Sequence, residues 1–285
     1  MKTIINQITF ILLLFVTQLS AQDTTTWYKV TEVADNTWLI DDNGNDNIYL
    51  VEGKDSALLI DTGIGVADLI STVKKITDKP LIMVVTHGHP DHAGANYQFE
   101  KVYAHQNDFD AVKMFGNVST SKSTLRSMAE EDRPAEKRRF NSKAKKTVLL
   151  PVSDGYIFDL GGRKIQVMET PGHTPGGICL MDIKNKLLFS GDNNNSLVWL
   201  FLDGCLPLSE YLKTLEMQVL RINEFTTLYP GHGPAMSSNF IKEQIECVKA
   251  ILDESCESEP YHSFAGESKI CKHGNAQVAY NPDNL

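Results

Sequence analysis

From Trp27 onward the hydrophobic positions fall in short runs: Trp27–Val33, Thr37–Ile40, Ile48–Val51 and Ala57–Asp61. Asn- and Gly-rich clusters such as Asp42-Asn43-Gly44-Asn45 separate them. Strand-type runs divided by turn residues predict a meander of antiparallel strands. Within Gly65–Ile76 the spacing changes. Val66, Leu69, Ile70, Val73 and Ile76 recur every three or four residues and mark one face of a helix. Leu81–Val85 is apolar throughout and short, as expected of a buried strand. Strand, helix and strand in that order make a βαβ unit, which binds ligands just past a strand's C-terminal end. His87 stands two residues beyond Val85, at that position.

Further along, Val102–Ala104 reads as a strand, followed by a polar stretch around 107–148 that reads as a charged surface insertion. Between Ser121 and Lys146 it holds nine Lys or Arg and four Asp or Glu, a pattern of solvated helices and turns. β-type runs resume at Tyr156–Phe158, Lys164–Met168, Ile178–Asp182 and Leu187–Ser190. Helical spacing then appears in Leu208–Ile222 and Phe240–Leu252, with the strand Thr226–Tyr229 between them. The second half loosely repeats the first. No Pro/Gly/Ser linker divides them, so residues 22–285 are expected to form a single α/β domain of two similar halves.

Residues 1–21 stand outside that pattern. Lys2, the apolar run Ile8–Val16 and the small-residue ending Leu19-Ser20-Ala21 have the form of a cleavable signal peptide. The run is too short for a stable membrane anchor. A secreted or periplasmic protein is therefore expected. The composition, 42% hydrophobic and 22% charged, is that of a globular protein. A net charge of −9 argues against a nucleic-acid partner and leaves a small-molecule substrate. Nothing in the pattern dictates an oligomeric state. Cys179, Cys205, Cys247, Cys256 and Cys271 are widely spaced and include no C-x-x-C pair. A disulfide scaffold and a thiolate zinc site are both excluded. Buried, reduced thiols are the simpler expectation, with a Cys256–Cys271 bridge as the alternative.

The chemistry is concentrated in Thr86-His87-Gly88-His89-Pro90-Asp91-His92, three His and one Asp within six residues of a chain that holds eight His. Imidazoles and carboxylates crowded together repel or stay unsatisfied unless a cation joins them. Such a set suits Zn²⁺, with Fe or Mn as competitors. Three more segments each end a strand with Gly or Pro and present a ligand type: Pro171-Gly172-His173, Gly191-Asp192 and Gly231-His232. Convergence at strand ends is how an α/β fold assembles a site. Leu197–Leu202 could line a pocket, pack in the core or form a lid helix. Asn193, Asn194 and Asn195 could face substrate or simply make a turn. His105, His262 and His273 read as isolated side chains outside the cluster.

This ordered set resembles the metallo-β-lactamase-fold hydrolase superfamily. The resemblance implies a four-layer αβ/βα sandwich with two Zn²⁺ ions at the edge of its sheets. His87, His89 and His173 would hold the first metal, Asp91, His92 and His232 the second, and Asp192 would bridge them. Asp61 would orient the ligand loop. Asp91 would double as the catalytic residue that orients the attacking hydroxide held by the metals and moves its proton. Asp192 stands where the lactamases generally carry Cys or Ser, and is similar to the glyoxalase II and lactonase branch. Glyoxalase II itself usually has a longer C-terminal region and an intracellular location. The implied activity is hydrolysis of a small ester, thioester or lactone. A β-lactam or phosphodiester hydrolase, or a mononuclear iron dioxygenase on the same fold, is the alternative.

Overall fold

The computed structural model describes residues 27–134 and 146–285. The signal-type segment 1–21 and part of the charged stretch, 135–145, lie outside the described residues. The first half runs β1 (Lys29–Ala34), β2 (Thr37–Asp41), β3 (Asn47–Glu52), β4 (Ala57–Ile60), α1 (Leu69–Val73) and β5 (Leu81–Val84). It continues with α2 (Pro90–Ala93), β6 (Lys101–His105), α3 (Phe109–Phe115), α4 (Val118–Ser127) and β7 (Val148–Val152). The second half begins β8 (Ile157–Asp159), β9 (Lys164–Glu169), β10 (Ile178–Asp182), β11 (Leu187–Gly191) and β12 (Leu197–Leu200). Then follow α5 (Leu208–Leu220), β13 (Thr227–Pro230), β14 (Met236–Ser237), α6 (Phe240–Leu252), β15 (Glu259–Ser263), β16 (Gly266–His273) and β17 (Ala276–Tyr280).

β1 to β7 form one sheet in chain order, antiparallel up to β4 and parallel beyond it. A second sheet has the order β14-β13-β11-β10-β9-β8. Alternation along the strands separates the cores. In β4, Ala57 and Leu59 pack with Leu69 and Val73 of α1, whereas Leu58 and Ile60 face Ile165, Val167 and Leu180 of the second sheet. In β10, Ile178 and Leu180 join that central core, and Cys179 and Met181 pack outward with α5 and α6. Three cores between helices, sheet, sheet and helices make the four-layer αβ/βα sandwich.

The second half also carries what the repeat of halves did not predict. β12, β17, β16 and β15 form a third sheet of four strands, laid against α6. Leu197–Leu200 is thus an edge strand, parallel to β17, and neither lid nor helix. Cys256 and Cys271 are joined by a disulfide that ties the start of this ribbon to β16. The expectation of five reduced thiols is corrected accordingly: Cys179, Cys205 and Cys247 are free, and Cys256 and Cys271 are paired. The charged stretch folds in part as α3 and α4, and α4 is anchored by buried Ser121, which donates to Gly94 O.

Candidate metal centre

The ligand loop leaves β5 and enters α2 through Pro90, which takes the first helical position, where a missing N–H costs nothing. Asp61 closes β4 with φ +66°, a left-handed conformation that Asp tolerates better than most residues. From there its carboxylate accepts from Thr86 N at 2.7 Å and Thr86 Oγ1 at 2.8 Å, and lies 3.0 Å from His92 Nδ1. One side chain therefore sets both ends of the His87–His92 segment. From the second half, Gly191 turns the chain at φ +49°, where a Cβ would lie 2.5 Å from Thr86 Oγ1. At Gly231 a Cβ would sit 2.4 Å from Asp192 Oδ1 and 2.7 Å from His92 Cε1. These positions require glycine because the two halves meet there.

The structure brings all seven motif side chains together. His89 Nδ1 lies 3.1 Å from His87 Nε2 and 2.9 Å from His173 Nε2. Asp192 Oδ1 is 3.3 Å from His92 Nε2 and 3.4 Å from His232 Nε2, while its Oδ2 is 3.5 Å from His173 Nε2. Asp91 Oδ2 is 3.3 Å from His232 Nε2. Asp192 thus spans two clusters. His105, His262 and His273 stay apart; His105 pairs with Glu169 at 3.1 Å and His262 with Glu267 at 3.3 Å.

The proton positions show why a cation fits. Thr86 Oγ1 donates to Asp61, so it accepts from His87 Nδ1, leaving His87 Nε2 as a lone pair. His173 Nδ1 donates to Trp199 O at 2.7 Å, leaving its Nε2 likewise. Both lone pairs face His89 Nδ1, which carries at most one proton. On the other side His92 Nδ1 donates to Asp61, and buried His92 Nε2 and Asp192 Oδ1, which face one another, have no hydrogen-bond partner. Lone pairs of His87 and His173 aimed at one nitrogen, and unpartnered polar atoms beside carboxylates in a buried site, call for positive charge between them. The mixed His/Asp donor set suits divalent Zn, Fe or Mn.

Electrostatics point the same way. Burial and the neighbouring His173 push His89 down to about 3, and burial with His92 and His89 holds His87 well below the usual imidazole range. At His232 burial also opposes the charge, but Asp192 and Asp91 outweigh it and raise the imidazole to about 11. Burial likewise opposes ionisation of Asp192, and His232 and His92 more than reverse this. One side rejects protons and the other demands positive charge. Metal ions answer both.

Three contributors escaped the sequence reading. Asp46, buried at the end of the Asp42–Asp46 turn, lies 3.3 Å from His92 Nδ1 and groups with His92 and His232 as possible ligands. It follows directly on the Asp42-Asn43-Gly44-Asn45 cluster, which reads only as a turn. Asp108 accepts from Gly88 N at 2.9 Å, Thr174 Oγ1 at 2.7 Å and Gly176 N at 2.7 Å, clamping the His87–His89 loop to the His173 loop. No motif surrounds it. The backbone carbonyl of Trp199 carries no residue-type signal at all. Asn193 and Asn194 are buried and bond to Gln218 and Gln244, so they support the Asp192 turn. Asn195 Oδ1 accepts from His232 N at 3.1 Å.

A four-layer sandwich that gathers imidazoles and carboxylates at the meeting edge of its halves defines the class of metal-dependent hydrolases. The chain belongs to the metallo-β-lactamase superfamily, whose sequence profile matches residues 41–107 and 118–241. It is 32% identical over 257 residues to acyl-coenzyme A thioesterase MBLAC2 of Homo sapiens, spanning 78% of this chain and 90% of that protein. Identity to hydroxyacylglutathione hydrolase GloC of Haemophilus influenzae is 25% over 194 residues, 62% of this chain and 80% of that one. Among solved structures, a metallo-beta-lactamase from Pontibacter korlensis superposes with a TM-score of 0.56 at 16% identity, covering 78% of this chain and 99% of that one. The sec-alkylsulfatase Pisa1 from Pseudomonas sp. gives 0.59 at 15% identity, covering 80% and 42%. Both structural likenesses concern the fold.

Proposed function

We propose that the protein is an exported hydrolase of small thioesters, with esters and lactones as chemically related substrates, and that it works with two divalent metals, Zn²⁺ foremost. The observation that carries this reading is the convergence of imidazoles and carboxylates, with His92 Nε2 and Asp192 Oδ1 lacking a hydrogen-bond partner, at the floor of a cavity of about 740 Å³. His87, His89 and His173 would hold one ion, Asp91, His92 and His232 the other, with Asp192 between. Ions bound there supply Lewis-acid activation of water and of a substrate carbonyl. The relatives' thioesterase and hydroxyacylglutathione hydrolase activities support a thioester substrate. The signal-type start and the Cys256–Cys271 bridge support export to an oxidising compartment. Among the described residues no helix is long and apolar enough to cross a membrane.

In this reading Asp91 is the proton carrier. Its carboxylate faces the cavity and is kept ionised: burial opposes the charge, but His92 and His232 hold it below the usual carboxylate range. It would take a proton from the attacking water as the new C–O bond forms. As the C–S bond breaks, that proton passes to the departing thiolate, giving acid and thiol. Asp61 and Asp108 hold the ligand loops, and the Trp199 carbonyl fixes His173.

Elemental analysis of the purified mature protein, with a thioester, ester, lactone, β-lactam and phosphodiester panel, tests the proposal. About two metals per chain are expected, with thioesters turned over fastest, without oxygen, and activity lost on chelation. His89→Ala should abolish that turnover. A folded, metal-free protein, or turnover of β-lactams or phosphodiesters alone, would overturn it.

A further inference from the structure

The cavity above the metal centre has unlike walls. Its floor is the His/Asp cluster, and one side is apolar, built from Leu197, Trp199, Leu202 and Phe264. Leu197 and Trp199 belong to β12 of the third sheet, and Phe264 sits in the turn between β15 and β16. The Trp199 ring lies 5.4 Å from Phe264, 5.3 Å from Phe201 and 6.3 Å from Tyr261. Trp199 Nε1 donates to Tyr261 Oη at 3.1 Å, locking the indole to the hairpin. Phe264 is 97% exposed, beside an indole that its packing holds rigid. Apolar surface grouped at the mouth of a cavity marks a place for a ligand.

Two further observations say what that ligand is. The carbonyl of Trp199 accepts from His173, so the aromatic wall is in fixed register with the metal floor. Among the described residues lining the cavity there is no Lys or Arg. Along that wall a carboxylate or phosphate on the substrate meets no Lys or Arg of the described residues, whereas a flexible hydrocarbon finds a continuous apolar surface. We infer that Leu197, Trp199, Leu202 and Phe264 form an acyl-chain subsite. It takes an apolar chain, while the thiol-bearing leaving group projects toward solvent unrecognised. This inference rests on the thioesterase reading of the site.

The experiment has two arms. In the first, kcat/KM is measured for acetyl, hexanoyl and decanoyl thioesters, each made on coenzyme A and on N-acetylcysteamine. Specificity should rise about two- to fourfold per methylene until the wall is covered. The two leaving groups should agree within about threefold, since neither is gripped. Phe264→Ser should cut the decanoyl-to-acetyl ratio about tenfold or more. Folding is not at stake there, because the side chain is exposed. In the second arm, calorimetry compares S-decyl- with S-ethyl-N-acetylcysteamine, thioethers that cannot be hydrolysed. Decyl should bind at least about 100-fold tighter, an advantage that Phe264→Ser reduces. A working enzyme with a flat chain-length profile overturns the subsite. A strong preference for coenzyme A overturns the solvent-facing leaving group. Decyl-selective binding without thioester turnover supports the subsite and overturns the hydrolase reading instead.

Discussion

Asp108 shows how much of a metal centre can rest on a residue that touches no metal. Its two oxygens accept three hydrogen bonds, one from Gly88 in the first half and two from Thr174 and Gly176 in the second. The loops that carry His87, His89 and His173 are thereby held at one separation. Groups that orient ligands commonly tune metal affinity 10- to 100-fold on the order of magnitude. Asp108→Asn keeps the volume but turns an amide donor toward N–H or O–H donors. It is expected to weaken Zn²⁺ binding roughly 10- to 100-fold in a competitive titration. The metal-free protein should lose only about 1–3 kcal/mol, the cost of an unsatisfied buried group. Unchanged affinity with the same loss of stability would reduce Asp108 to a packing role. The His and Asp of the motifs were readable because their types are scarce and crowded. Asp46 and Asp108 were not, because a lone Asp in a loop has the same residue pattern whether it caps a turn or braces a ligand.

At the scale of elements, α6 and β10 lie where the hydrophobic spacing predicts them, because each buries a full face against a sheet. The third sheet was not readable for the converse reason. β15 reads Glu-Pro-Tyr-His-Ser, and in β16 only Ile270 and Cys271 are buried, so no alternation announces either strand. What such a ribbon lacks in apolar burial is supplied in part by Cys256–Cys271, which closes a sequence separation of 15 residues. A cross-link of that span restricts the unfolded chain by about 3 kcal/mol in the chain-entropy view. Cys256→Ser with Cys271→Ser should therefore lower stability by about 2–4 kcal/mol in urea. It should also loosen the hairpin that carries Phe264. Identical urea midpoints for the double variant and the parent protein would show that packing on α6 suffices.

For the whole molecule, the decisive fact is that neither half completes the site. Residues 87–92 come from one half and His173, Asp192 and His232 from the other, so any slippage between sheets opens the metal centre. The central core resists sliding only weakly, since apolar contact is non-directional. Direction comes from Arg163. This buried guanidinium leaves β8–β9 and donates to Asp35 O, Asn36 O and Glu52 O in the first half, and from Nη2 to Thr37 Oγ1 at 2.7 Å. Its Nε pairs with fully buried Asp182 at 2.7 Å. Arg163→Leu would leave the buried Asp182 carboxylate without its cationic partner, and breaking such a pair costs about 3–5 kcal/mol. Arg163→Lys keeps the charge but not the fork, and should fall between parent and Leu variant. Stability by urea denaturation and metal affinity should decline together across Arg, Lys and Leu, because both depend on the register of the halves. If stability falls along that series while metal affinity stays constant, the halves are aligned by their shared metal ligands, and Arg163 serves stability alone.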